Sequence, residues 1–232
     1  MLKGLIFDFD GLIVDTETVI YETWADLYKQ NGQILELADY KQCVGSDFAQ
    51  FDPGKELEKR CGKTFDWNTL NQEREITIRE KLKTQKERPG IISFLDEAKK
   101  IGLRTAIASS SSKAWVVGWV ERLQIKHYFE KFLNRDDVKR IKPAPDLFLA
   151  SCKALEISTS EALVLEDSEN GLKAATAAGI QCAIVTNKIT EGGNFSDSVL
   201  QTDNFSDNTL IGIEEVFDET TESFFLYLKI FS

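Results

Sequence analysis

The chain has 232 residues, and 38 Asp and Glu against 28 Lys and Arg give it a formal net charge of −10 at pH 7. With 42% hydrophobic and 28% charged residues it has an ordinary globular composition, and a chain of this size buries roughly 70% of its unfolded surface. An acidic chain repels phosphate backbones and anionic headgroups, which argues against nucleic-acid and membrane partners, and its apolar runs fall short of the ~20 residues a spanning helix needs.

The opening stretch MLKGLIFDFDG has one lysine and a short apolar run broken by aspartates, unlike a secretory signal, so a cytoplasmic protein is expected. A single histidine, His127, leaves no material for a multi-histidine metal site, and its setting in IKHYF reads as structural rather than as part of a Ser-His-Asp triad. Cys43, Cys61, Cys152 and Cys182 are far apart with no CxxC pair, as expected of reduced, mostly buried thiols. The chemistry is left to carboxylates, hydroxyls, lysines and a bound metal.

Residues 4–9, GLIFDF, read as a buried strand ending in acid. From Thr16 to about Asn31 the period becomes helical, with Ile20, Trp24, Leu27 and Tyr28 on one face, which reads as a packed face. Residues 33–88 continue polar and mostly helical until Pro89-Gly90. Then come a helix from Ile91, a strand over 103–108, a helix over 113–124, a short strand at Phe132 and Leu133, and a helix over 146–156. A strand over 162–166, a helix over 169–178 and a strand over 182–185 complete the alternation, which predicts an α/β fold with a parallel sheet covered on both faces. The core is expected over 1–14 and 89–232, interrupted by an all-helical insert at 15–88. Residues 187–208 read as loop-rich, with NFSD at 194–197 and 204–207 reading as turns rather than glycosylation sites, and Trp115 and Trp119 read as a packing pair. The apolar tail FFLYLKIFS at 224–232 suggests a docked segment or an oligomer contact, in a monomer or homodimer.

Ligands of parallel α/β sheets bind beyond the carboxyl ends of the strands. There the sequence places Asp8 and Asp10, the serine run opened by Ser109, a loop with Lys142, and Glu166-Asp167-Ser168. Several carboxylates in one pocket need a cation, and an oxygen-only donor set favours a hard ion, most simply Mg²⁺. One carboxylate can attack phosphorus while the other serves as general acid and then base. Ser109 and the amides after it can bind phosphate oxygens, and Lys142 can neutralise the transferring group. Asp15-Thr16 reads as a helix N-cap pair.

These four pieces, in this order, resemble the haloacid dehalogenase superfamily. DFDGLIVDTE (8–17) looks like its nucleophile motif, ASSS (108–111) its Ser/Thr motif, KPAPDLF (142–148) its lysine motif and LEDSENG (165–171) its acidic metal motif. The resemblance, covering residues 1–186, implies a Rossmann-like core with an inserted helical cap of the β-phosphoglucomutase and phosphoglycolate phosphatase branch. It implies Asp8 as nucleophile and metal ligand, and Asp10 as general acid/base that also binds metal through its carbonyl. Asp167 would be a further ligand, with Glu166 a ligand or a neighbour of Lys142. Ser109, Ser110 and Lys142 would bind phosphate, and Asp15 and Thr16 would form the cap hinge. The implied activity is Mg²⁺-dependent hydrolysis of a small phosphorylated metabolite through phospho-Asp8, with a phosphosugar mutase as the second reading. Ile20 stands where the mutase has a cap histidine, and VGSDF (44–48) lacks its phosphate-gripping arginine, although Arg74 or Lys55 could substitute. Asp10 speaks against dehalogenation, and the helical insert against a phospho-accepting receiver domain.

Overall fold

The structure, a computed structural model, describes residues 1–205; the apolar tail and the end of the second NFSD copy lie outside them. Among the described residues six strands make one all-parallel sheet: β1 (Gly4–Phe7), β2 (Arg104–Ala108), β3 (Lys131–Leu133), β4 (Ala162–Glu166), β5 (Gln181–Val185) and β6 (Leu200–Thr202). Their spatial order is β3-β2-β1-β4-β5-β6. The expected strands fall within two residues of these bounds, with 162–166 matching β4, and β6 adds a short strand within the loop-rich 187–208. It is three residues long and pairs only with Ala183–Val185, too short to show a period of two.

The sheet sorts its side chains by the alternation of the strand. Leu5, Phe7, Ile107, Leu163, Leu165, Ala183 and Val185 enter the cluster packed by α5 (Ile91–Lys100) and α6 (Lys113–Arg122). Ile6, Ala106, Ala108, Val164, Cys182 and Ile184 enter the opposite one, packed by α7 (Asp146–Ala154) and α8 (Glu169–Ala178). Both faces being covered, the central strands read as continuous apolar runs.

Between β1 and α5 lie α1 (Glu17–Gln30), α2 (Leu37–Tyr40), α3 (Pro53–Cys61) and α4 (Trp67–Lys81). Asp52 starts α3 by accepting from the amides of Gly54 and Lys55, and Gly62, at φ 64°, closes it. This stretch has its own apolar cluster around Trp24, Leu27, Tyr28 and Leu57; the Tyr28 hydroxyl donates to the Pro53 carbonyl at 2.7 Å. Thr16 occupies the N-cap of α1 but does not cap it with its side chain; Asp15 accepts from the Thr18 amide at 3.2 Å instead.

From β1 the chain fills the sheet outward to β2 and β3, then crosses back to β4 on the other side. The carboxyl ends of β1 and β4 therefore flank the point where the winding reverses, where a crevice opens.

Candidate active site

The β1–β4 register pairs Phe7 with Leu165, so Asp8 and Glu166 leave the sheet side by side, and the Asp8 amide extends the ladder to the Leu165 carbonyl at 2.9 Å. Lys142, from the loop before α7, inserts its ammonium between them: Nζ donates to Asp8 Oδ1 and, at 2.6 Å, to Glu166 Oε1. Glu166 Oε2 accepts from the Asp167 amide at 3.0 Å, the Ser168 amide at 3.1 Å and the Ser168 hydroxyl at 3.0 Å. Donors thus reach both Glu166 oxygens, and Lys142 is its direct neighbour. Asp167 differs. Its Oδ2 accepts from Asn187 Nδ2 at 2.7 Å, whereas its Oδ1 is buried with no partner among the described residues.

Burial dominates the electrostatics. It pushes the Asp8 carboxyl up to about 8, with Lys142 pulling against it and Glu166 adding to it. Asp167 is driven well above the carboxylate range by burial first and then by Glu166 and Asp8, which only Arg88 opposes among the leading causes. Burial alone would weaken the charge on Lys142, but Asp8 and Glu166 outweigh it and hold the ammonium above the usual lysine range. Oxygens of Asp8, Glu166 and Asp167 lie within 4.8 Å of one another. An unpartnered buried carboxylate oxygen in an all-oxygen cluster with surplus negative charge suits a hard divalent cation.

Glycines make room for this cluster. Gly11, at φ 83°, passes so close that a Cβ would lie 2.3 Å from Asp167 Oδ2, and one on Gly171 would lie 1.9 Å from Glu166 Cδ.

Asp10 sits apart from the Lys142 group. Its Oδ1 accepts from Thr16 Oγ1 at 2.8 Å and from the Trp115 indole at 2.7 Å, and its Oδ2 from Ser111 Oγ at 2.6 Å and Ser109 Oγ at 3.4 Å. Trp115 is therefore more than the packing partner its spacing suggested: the ring stacks edge-on to Trp119 while the N–H is spent on a carboxylate. Asp8, Lys142, Glu166 and Asp167 thus form one group and Asp10 with Ser109 a second, with Asp8, Asp10 and Ser109 lining one cleft; the Ser110 hydroxyl turns away to the Gly45 carbonyl at 3.0 Å.

Asp8, Asp10 and the serines border a cleft of about 840 Å³ whose far wall comes from α1 and α4. Trp24 belongs to that wall as well as to its own cluster, and the Arg74 guanidinium lies 3.6 Å over its ring. Lys55 is far more exposed, paired with Asp52 at 3.6 Å, and does not line the cleft. The 42–46 segment is tied to the core: Asn170 donates to the Gln42 and Val44 carbonyls, and Ser46 to the Lys142 carbonyl. His127 lies away from the cleft, its Nδ1 3.0 Å from the Gln124 carbonyl.

Three residues escaped sequence reasoning. Asn187 follows β5 and joins Asp167 to the Gly11 carbonyl, so extending the strand-end rule to β5 would have found it. Ser111 lay inside a noted motif with no role given. Arg88 donates to the carbonyls of Gly11, Val185, Thr186 and Asp203, contacts to backbone that leave no sequence signal.

A family description of haloacid dehalogenase-like hydrolases matches residues 5–185, and the chain belongs to that family. It is 40% identical over 197 residues to YhcW of Bacillus subtilis (strain 168), named as a phosphatase, covering 85% of this chain and 89% of that one. It is 28% identical over 184 residues to the fructose-1-phosphate phosphatase YqaB of Escherichia coli (strain K12), covering 78% and 95%. A crystal structure of β-phosphoglucomutase from Clostridium difficile shares the fold, with a TM-score of 0.75 at 22% identity over 94% of this chain and 98% of that one. The protein is a phosphoric monoester hydrolase.

Proposed function

We propose that the protein is a Mg²⁺-dependent phosphatase that hydrolyses a small phosphorylated sugar or similar metabolite through a phospho-Asp8 intermediate. The observation that carries this is Asp8 at the floor of the cleft, its carboxylate held by Lys142, with Asp10 on a separate set of donors nearby. An Asp8 oxygen attacks phosphorus and the bond to the leaving oxygen breaks; Asp10 gives that oxygen a proton. Asp10 then takes a proton from water as the water attacks the phospho-aspartate, releasing phosphate and restoring Asp8. Ser109, the amides after it, including that of Ser110, and Lys142 bind the phosphoryl oxygens. Asp8, the Asp10 carbonyl and Asp167 would hold Mg²⁺, which supplies neutralisation of phosphoryl charge. Residues 15–88 act as a cap hinged at Asp15 and Thr16, closing over the core formed by 1–14 and 89 onward to exclude water and select the substrate. The sugar-phosphate class is supported by the name of the relative YqaB.

Asp8→Asn should abolish Mg²⁺-dependent phosphate release across a panel of phosphorylated metabolites; turnover persisting in a clean preparation overturns the mechanism. One observation favours the mutase as second reading: Arg74 faces the cleft, where it could grip a second phosphate. Interconversion of sugar-phosphate isomers primed by a bisphosphate, without net phosphate release, would establish it.

A further inference from the structure

We propose that Trp115 is a positioning residue for Asp10, anchoring the acid/base carboxylate to the core through its indole N–H; this rests on the phosphatase reading above. Asp10 Oδ1 has two close donors of different origin. Thr16 is the N-cap of α1 and part of the proposed hinge, so its hydroxyl sits where the insert joins the core. Trp115 belongs to α6 on the sheet. Its amide is capped by Ser112 at 3.3 Å, and its ring packs at 5.9 Å on Trp119, itself nearly buried against Phe9 and covered by Arg122. Trp115 thus gives Oδ1 a partner rooted in the core helix α6, separate from the proposed hinge.

The chemistry of the donor suits this role. An indole N–H donates only, so it cannot exchange protons with the carboxylate as water can; it fixes where the oxygen sits. At 2.7 Å it is as short as the charge-assisted bonds that orient catalytic groups. Ser111, on Oδ2, completes a grip that leaves the carboxylate little rotational freedom. A tryptophan present only for packing would have no reason to aim its nitrogen at this carboxylate.

Trp115→Phe keeps an aromatic ring in the position but deletes the donor along with the pyrrole half of the indole. With para-nitrophenyl phosphate and Mg²⁺, kcat should fall about tenfold, the effect of one hydrogen bond to a charged group. KM should stay within about twofold, because a positioning defect acts on the transition state rather than on binding. In heteronuclear NMR of the otherwise intact protein, the backbone-assigned Trp115 indole resonance should move in Asp10→Asn while those of Trp24 and Trp67 stay. An unchanged kcat, a loss carried wholly by KM, or an indole resonance indifferent to Asp10→Asn overturns the assignment. If Trp115→Phe does not fold, the Asp10→Asn spectrum decides. Absence of turnover in the wild type would instead sink the phosphatase reading, and the indole resonance would still test the contact.

Discussion

Lys142 Nζ lies 2.6 Å from Glu166 Oε1 with neither side chain reaching solvent, and the same ammonium serves Asp8. One cation thus holds two buried acids, at the place where a phosphoryl group would add still more negative charge. Removing one partner of such a group leaves uncompensated buried charge, which costs about 3–5 kcal/mol. Lys142→Met should therefore lose stability of that order in urea unfolding as well as activity. A variant that is inactive yet as stable as the wild type would show that Lys142 serves the reaction alone.

Gly171 and Gly118 make a contrasting pair on two helices. A Cβ at Gly171 would strike the Glu166 carboxyl at 1.9–2.2 Å, whereas one at Gly118 meets nothing within 4 Å. Gly171→Ala should destabilise by about 1–3 kcal/mol and displace Glu166 from Lys142. Gly118→Ala should stabilise by roughly 0.5–1 kcal/mol, because it removes a glycine from a helix interior. Denaturant midpoints of the two variants check the pair, and equal shifts of the same sign would refute it.

How much of this was legible follows from where each signal lives. β1, β4 and α8 could be read because apolar runs end in acid and Gly179 closes the helix. Asp8, Glu166, Asp167 and Lys142 stood out because the strand-end rule gathers them at one edge. The partner of each did not. Spacing put Trp115 four residues from Trp119 and so announced packing, but the direction of its N–H depends on how α6 lies over β1. Arg88 grips main-chain carbonyls, which carry no residue identity. β6 owes its existence to pairing with β5 rather than to any local preference.

Glu17, buried on the cleft wall, gives a signed pH dependence. Burial first, then the charges of Asp10 and Asp8, push its carboxyl up from 4.5 to about 8. Between those values the folded chain holds a proton that the unfolded chain releases. The contribution is therefore fully present below about pH 4.5 and lost as pH rises through about 8. Glu17→Gln, neutral throughout, should gain on the wild type as pH goes from about 5 to 8.5. Thermal unfolding of both proteins in chelator reads this, and a gap that does not change with pH would remove Glu17 as the source.

Asp167 carries opposite predictions with and without metal. Free of metal, its carboxylate is buried beside Glu166 and Asp8 with Oδ1 unpartnered, so its charge opposes folding. Asp167→Asn should therefore raise the melting temperature in chelator. A ligand that binds only the folded state stabilises it by RT ln(1 + [L]/Kd), so saturating Mg²⁺ should raise the melting temperature of the wild type. The asparagine variant should lose that rise, since the amide offers a weaker oxygen and no charge. Calorimetry of both proteins, with chelator and with Mg²⁺, checks the two signs together. An undiminished Mg²⁺ response in Asp167→Asn would place the cation elsewhere.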